Sequence, residues 1–165
     1  MRWTFLLALV LLAGCAARPD PAVVPQVDLD RYAGTWHEIA RFDHRFERGM
    51  TAVTATYTRR EDGTIAVLNA GLRDGRRHTA EAVAWVPDPA EPAKLEVRFF
   101  WPFSGAYWIL GLDPEYRWAV VGHPSRDYLW YLARDPVVAP AVRAQMDAVA
   151  VAAGYDLGRL IVLSP

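Results

Sequence analysis

The chain has 165 residues, which is enough for one domain and too few for two of ordinary size. Apolar residues make up 53% and charged residues 22% of it, so the sequence has the material for a buried core and is not disordered throughout. The formal net charge is −1, which gives no electrostatic drive toward phosphates, and we predict no nucleic-acid partner.

The first fourteen residues have the features of an export signal. Arg2 supplies the positive charge, and an apolar run follows from Trp3 to Ala13. That run is shorter than the ~20 residues that a membrane-spanning helix needs. We therefore predict that residues 1–14 form a signal peptide that is removed.

Cys15 is the only cysteine, which excludes an intramolecular disulfide and a cysteine-rich metal site. The sequence around it, Leu12-Ala13-Gly14-Cys15, resembles a bacterial lipobox, and this resemblance implies a lipid on Cys15 after cleavage. The alternative is an ordinary signal peptide with an incidental cysteine. Residues 15–27 contain three prolines and no periodicity, so they are predicted to be a lipidated tether. Ala16 is not aspartate, which favours sorting to the outer membrane.

From Gly34 onward, apolar and polar residues alternate with period two, and turn residues recur every eight to twelve positions. This pattern is typical of antiparallel strands joined by hairpins. It predicts eight strands, near residues 35–43, 51–60, 64–73, 77–86, 94–100, 106–112, 117–122 and 127–134.

A single helix is predicted to follow the strands. Pro140 suits its first position, Val142, Met146 and Val149 share a face, and Gly154 suits its end. A short last strand is predicted at 159–163. Eight strands and one helix fit either a sandwich or a closed barrel, and the alternation alone does not decide between them.

Three segments resemble the bacterial outer-membrane lipocalins, with apolipoprotein D as a more distant relative. They are Gly34-Thr35-Trp36 with the residues that follow it, VTATY at 53–57, and RDYLWYLAR at 126–134. The resemblance runs from about Leu29 to the C-terminus and implies a lipocalin domain over residues 28–165. It implies an all-β fold: an eight-stranded antiparallel up-and-down lipocalin barrel with one C-terminal α-helix and a short final strand.

The same resemblance implies a structural plug at the closed end of the barrel. It assigns this role to Gly34, Trp36, Tyr116 and Arg134. A guanidinium over an indole face gives a cation–π contact of about 0.5–2 kcal/mol. We expect these residues to stabilise the fold and to take no part in catalysis.

Alternation along the strands suggests which side chains line a ligand cavity. Tyr128 and Trp130 have the parity of Arg134, and Glu38 and Phe42 have the parity of Trp36. By the same argument, Tyr57 and Phe99 are candidates. The alternatives are that the aromatic residues fill a solid core and that Glu38 makes a structural hydrogen bond or faces solvent.

The turn at Phe100-Trp101-Pro102-Phe103 places three aromatic residues at the predicted open end. Exposed apolar clusters usually mark an interaction surface. A ligand gate, a membrane contact and a homodimer patch all fit this loop.

No catalytic or metal-binding motif is found. His37-Glu38 begins like H-E-x-x-H, but Arg41 stands at the fifth position and neighbours on a strand face opposite ways. His44, His78 and His123 are interpreted as solvated surface residues. We predict no enzyme activity, no metal and no cofactor.

The resemblance implies a lipid-anchored outer-membrane protein that holds a lipid or fatty-acid ligand, such as a lysophospholipid, with its domain facing the periplasm. Burial of an acyl chain contributes about 0.8 kcal/mol per CH₂ group. One alternative is an enzyme that uses the same barrel for isomerisation or hydrolysis. Another is a structural envelope protein whose barrel is fully packed.

Overall fold

The computed structural model describes residues 18–163, so the predicted signal peptide and Cys15 lie outside the described residues. Within this range the elements are a one-turn helix α1 (Leu29–Tyr32), strands β1 (Gly34–Phe42), β2 (Thr51–Arg59), β3 (Ile65–Arg73), β4 (Arg76–Trp85), β5 (Lys94–Phe100), β6 (Phe103–Leu112), β7 (Trp118–Gly122) and β8 (Leu129–Ala133), the helix α2 (Pro140–Ala152), a 3₁₀ turn (Leu157–Arg159) and strand β9 (Leu160–Val162).

The eight strands β1 to β8 form a closed antiparallel barrel, which confirms the predicted fold. Each strand pairs with the next, and β1 pairs with both β2 and β8. Trp36 lies opposite Ala55 of β2, and Glu38 lies opposite Leu132 of β8. The short strand β9 adds to the outer edge of β1. Closure pairs every strand from β1 to β8 on both sides, although β4 and β5 pair over three residues only.

Side chains alternate between two separate cores. Inward-facing residues line the barrel interior, and outward-facing residues of β1, β6, β7 and β8 form a second layer under α2. The inner core includes Trp36, Tyr57, Leu95, Ile109, Val121 and Leu132. The outer layer includes Leu110, Val120, Tyr131, Met146 and Ala150.

Helix α2 packs close to the outside of the barrel. It begins at Pro140 without a side-chain cap at Ala139, and Gly154 follows it with a φ of +83°. A Cβ atom on Gly111 would lie 2.8 Å from Val149 Cγ1. A glycine at this position of β6 therefore allows the close contact between strand and helix.

The two ends of the barrel differ. The connections β1–β2, β3–β4, β5–β6 and β7–β8 form the open end, and α1 lies at the closed end, where Tyr32 packs on Trp36. Residues 18–27, part of the predicted tether, lie along the outside of the barrel: Pro21 is buried, and Val24 N–H donates to the Ile109 carbonyl over 3.0 Å. Among the described residues, no helix is long and apolar enough to cross a membrane.

Candidate functional site

The closed end is held by one arginine over one tryptophan. The guanidinium carbon of Arg134 lies 3.8 Å from the ring centroid of Trp36. Its nitrogens donate to the carbonyl groups of Thr35, Ala33 and Tyr116 over 2.9, 2.9 and 3.2 Å. The arginine thus ties α1, β1 and the β6–β7 turn together beneath the indole.

Gly34 lies directly beside this stack. Its φ is +97°, and a Cβ atom there would lie 3.2 Å from Arg134 Nη1. Both the positive φ and the short distance to the Arg134 guanidinium favour glycine at the start of β1.

Three tyrosines form the floor of the barrel interior. The hydroxyl of Tyr107 lies 2.7 Å from that of Tyr32 and 2.8 Å from that of Tyr57. Burial raises the pKa of all three hydroxyls, so they stay neutral. Tyr57, a predicted ligand-binding residue, therefore lies deep in the barrel as part of this network.

Above the floor, a buried hydrogen bond joins Arg41 and Glu38 in the interior. Arg41 Nη1 donates to Glu38 Oε1 over 2.7 Å, and Arg41 Nη2 donates to the Glu47 carbonyl over 2.8 Å. Burial raises the pKa of Glu38 to about 8, and the nearby carboxylate of Glu47 acts in the same direction. These effects outweigh the opposing effect of Arg41.

A β-bulge in β1 brings these two side chains together. Residues three apart on a regular strand face opposite ways, but the register of β1 against β8 shifts between Glu38 and Ala40. The shift turns Arg41 inward beside Glu38. Sequence reasoning did not identify Arg41, because its parity on a regular strand would place it outside.

The same bulge corrects the prediction for Phe42. Phe42 does not share the inward face of Trp36 and Glu38; it is 1% exposed in the layer under α2. There its ring makes an edge contact with Tyr155 at 5.8 Å and lies under the guanidinium of Arg159. The predicted placement of Phe42 in the ligand cavity is wrong, because one extra residue in a strand exchanges the two faces beyond it.

The mouth of the barrel holds a second polar and aromatic group. Trp130 Nε1 donates to Glu47 Oε2 over 3.2 Å, and Tyr128 stacks on Trp130 with ring centroids 5.8 Å apart. His44 Nε2 lies 2.9 Å from Glu47 Oε2. Burial alone would raise the pKa of Glu47, but His44 and Trp130 outweigh it and the pKa lies below its usual value.

His44 was predicted to be a solvated surface residue, and this is wrong. It is 8% exposed, because the β1–β2 loop folds over the mouth and carries its ring against Trp130 and Tyr128. His78 is exposed and His123 is half-buried. A histidine in a loop gives no sequence signal that the loop turns inward.

The middle of the barrel is not sealed. Inward-facing side chains on five different strands remain partly exposed, namely Ala55, Asn69, Val97, Tyr107 and Trp130. The Asn69 Oδ1 atom is buried and has no partner within the described chain. Phe99, another predicted ligand-binding residue, lies at the rim and is 40% exposed. Partly exposed inward side chains are thus found from the rim past Trp130 to Tyr107.

Strands β4 and β5 leave a gap in the upper wall. They pair only from Val83 to Trp85, although β4 begins at Arg76. Next to this gap, a groove of about 450 Å³ runs over the outer face of β2 to β5. Its walls include Leu68, Glu81, Val83, Arg98, Phe100 and Trp101.

Among the described residues, no cluster of histidine and carboxylate side chains suits a metal ion.

We predict that Glu38 makes the stability of the barrel pH-dependent. Its pKa of about 8 lies above that of an unfolded glutamate, so the folded state holds an extra proton between these values. Raising the pH from 6 to 9 should therefore destabilise the wild type, by as much as about 2–3 kcal/mol, and Glu38→Gln should lack this loss. Denaturant unfolding at both pH values measures it, with the exposed Glu81→Gln as the control. An equal pH dependence in wild type and Glu38→Gln would contradict the prediction.

Comparison with known proteins places this geometry in a family. The family described as Lipocalin-like domain matches residues 27–165. The chain is 45% identical over 159 residues to the protein named Outer membrane lipoprotein Blc from Citrobacter freundii, covering 93% of this chain and 90% of that protein. It is 36% identical to bovine Apolipoprotein D over 131 residues, covering 74% of this chain and 68% of the relative.

A solved structure shares the fold. Insecticyanin from the tobacco hornworm Manduca sexta superposes with a TM-score of 0.73 at 22% identity, covering 89% of this chain and 85% of that one. At this identity the likeness shows the barrel architecture alone.

Proposed function

The chain belongs to the lipocalin-like family, and we propose that it is a lipid-anchored outer-membrane lipocalin that binds, stores or transports lipids for the cell envelope. Lysophospholipids and fatty acids are the ligands we propose. The outer-membrane location rests on the lipobox at Cys15 and on the relatives named as outer membrane lipoproteins. In that location the domain faces the periplasm.

The observation that carries the proposal is that apolar and polar side chains face the barrel interior together. The partly exposed side chains of Val97 and Trp130 line the interior, and a polar group around Arg41 and Glu47 lies beside them above the tyrosine floor. An acyl chain would lie along the apolar walls. Its burial would supply about 0.8 kcal/mol per CH₂ group.

The polar end of such a lipid would stay near the mouth. Arg41 offers a cation, Glu38 a carboxyl group whose pKa of about 8 favours the protonated form at neutral pH, and Trp130 an indole N–H. Within this cluster, Arg41 already contacts Glu38, and His44 contacts Glu47. This arrangement supports recognition of an amphipathic ligand without a covalent step.

We predict that Trp130 reports ligand entry. Titration with a lysophospholipid should change tryptophan fluorescence saturably in the wild type, because the acyl chain packs against the half-buried indole. Trp130→Phe should lose most of the change. Trp85→Phe is the matched control, since Trp85 faces outward beneath Arg98. Val97→Phe, which enlarges an inward side chain, should weaken binding without unfolding the barrel.

Two results would contradict this assignment. The full response and affinity in Trp130→Phe would place the ligand away from strand β8. No saturable response in the wild type, with a folded barrel, would argue for a packed structural barrel instead.

A further inference from the structure

The described chain begins beside the open end of the barrel. The carbonyl of Pro19 accepts a hydrogen bond from Arg126 Nη2 over 2.7 Å, and Arg126 lies in the β7–β8 connection at the open end. The Arg18 guanidinium lies against Gly154, just beyond the end of α2. From there the segment runs down the barrel to Asp28, whose N–H donates to the Tyr116 hydroxyl at the closed end.

Chain length then limits where an anchor on Cys15 can sit. Two residues, Ala16 and Ala17, separate Cys15 from Arg18, and the three steps of extended chain between them span at most about 3.6 Å each, which gives a reach of about 11 Å. Strand β1 has nine residues and would be about 30 Å long, or roughly 22–25 Å along the axis of a barrel with tilted strands. An anchor on Cys15 therefore reaches the open end and not the closed end.

The open end also carries the most exposed aromatic side chains of the described chain. Trp101 is 82% exposed, Phe103 73%, Phe100 62% and Phe46 52%. Trp101, Phe103 and Phe100 lie at the β5–β6 turn, and Phe46 lies in the β1–β2 loop. Aromatic side chains of this kind are favoured at the boundary between lipid headgroups and acyl chains.

The two ends of the barrel also differ in their charged side chains. The four strand connections at the open end, with the strand ends next to them, hold six arginines (Arg45, Arg48, Arg73, Arg76, Arg77 and Arg126) and three exposed aspartates (Asp43, Asp74 and Asp127). The closed end exposes eight carboxylates (Asp28, Asp30, Glu61, Asp62, Asp88, Glu91, Glu115 and Asp135) and four arginines (Arg31, Arg59, Arg60 and Arg117). A leaflet with anionic phospholipids attracts the basic end and repels the acidic one.

We propose that the open end of the barrel docks on the phospholipid surface that holds the Cys15 anchor, with Trp101, Phe103 and Phe46 in the headgroup region. The proposal rests on the lipid anchor of the proposed function. A lipid leaving the bilayer then enters the barrel beside Trp130 without crossing bulk water. The short reach of the anchor, the exposed aromatic residues and the basic rim all support one orientation.

Site-specific labels test the orientation. Since Cys15 is the only cysteine and its sulfur would be acylated, Trp101→Cys, Phe46→Cys and Val137→Cys each provide one free thiol for an environment-sensitive fluorophore. Val137, 68% exposed and next to the closed end, is the matched control. The lipidated proteins are reconstituted into vesicles of phosphatidylethanolamine and phosphatidylglycerol, some of which carry a quencher on the acyl chains.

The fluorescence emission of the labels at positions 101 and 46 should shift to shorter wavelength, and the acyl-chain quencher should remove most of it. The label at position 137 should keep the emission that it has in water. Aqueous emission at 101 and 46, or quenching at 137, would overturn the proposal. A blue shift without quenching would show that a second copy covers the mouth, and would also overturn it.

The anchor and the ligand site are checked separately on the same proteins. The mass of the mature N-terminus reports the acyl chains, and their absence would overturn the anchor and the docking together. Lysophospholipid titration without vesicles reports the ligand site. If lysophospholipid binds normally but the label at position 101 keeps its aqueous emission on vesicles, the proposed docking is overturned and the proposed ligand site is not.

Discussion

Replacing Trp36 by alanine should lower the free energy of unfolding by about 3–5 kcal/mol, because it opens a large cavity at a fully buried position. Arg134→Ala should cost less, since water can reach part of the hydrogen-bonding network that the arginine leaves. Denaturant unfolding of both variants gives these values, provided that circular dichroism shows a folded barrel at the start.

A double-mutant cycle isolates the contact between the two side chains. The guanidinium lies 3.8 Å from the ring centroid, so we expect a coupling energy of about 0.5–2 kcal/mol. Arg117→Ala is the matched control: Arg117 lies at the same end and pairs with Asp113, so its loss should add to that of Trp36→Ala. Strictly additive losses for Trp36 and Arg134 would contradict a stabilising stack.

Cys15→Ser should remove the domain from the membrane fraction. Because serine has no thiol for the lipid, the variant should appear either in the released periplasmic fraction or as an uncleaved precursor. Fractionation and the mass of the N-terminus measure this outcome, with Ala17→Ser as a neighbouring control. Unchanged membrane attachment without acyl chains on the N-terminus would mean that something other than Cys15 holds the protein.

Local alternation predicted the strands well, because each strand of a barrel has one face on the core and one on solvent or on α2. The predicted strand near 35–43 and the observed β1 (Gly34–Phe42) differ by one residue at each end. Pro140 likewise predicted the start of α2. These features depend on neighbouring residues and on turn chemistry, which a sequence displays directly.

Which side chains face the barrel interior could be predicted only where residues alternate regularly along a strand. Trp130 and Tyr57 have inward positions that follow from regular alternation. Arg41 and Phe42 exchange faces at a β-bulge, and no residue type in β1 indicates this bulge from the sequence. The buried cluster also depends on the β1–β2 loop turning inward with His44 and Glu47. Such placements arise from contacts between distant segments, which alternation along one strand does not contain.

The path of the segment that precedes the barrel could not be predicted from the sequence either. Three prolines predicted a tether between anchor and domain, but proline content does not tell whether such a segment stays away from the barrel or packs on it. Residues 18–28 follow the barrel from the open end to the closed end. Their path places Arg18, the first described residue, beside the open end, and the proposed anchor would extend from there.

Native mass spectrometry of the lipidated protein, released gently from bacterial membranes, tests the central claim most directly. The account predicts a bound species whose mass, after subtraction of the anchored chain, identifies a lysophospholipid or fatty acid, and predicts that Val97→Phe loses most of it. A wild-type protein that carries its anchor and remains folded but never shows a bound lipid, even after incubation with lysophospholipid, would contradict a lipid-binding barrel.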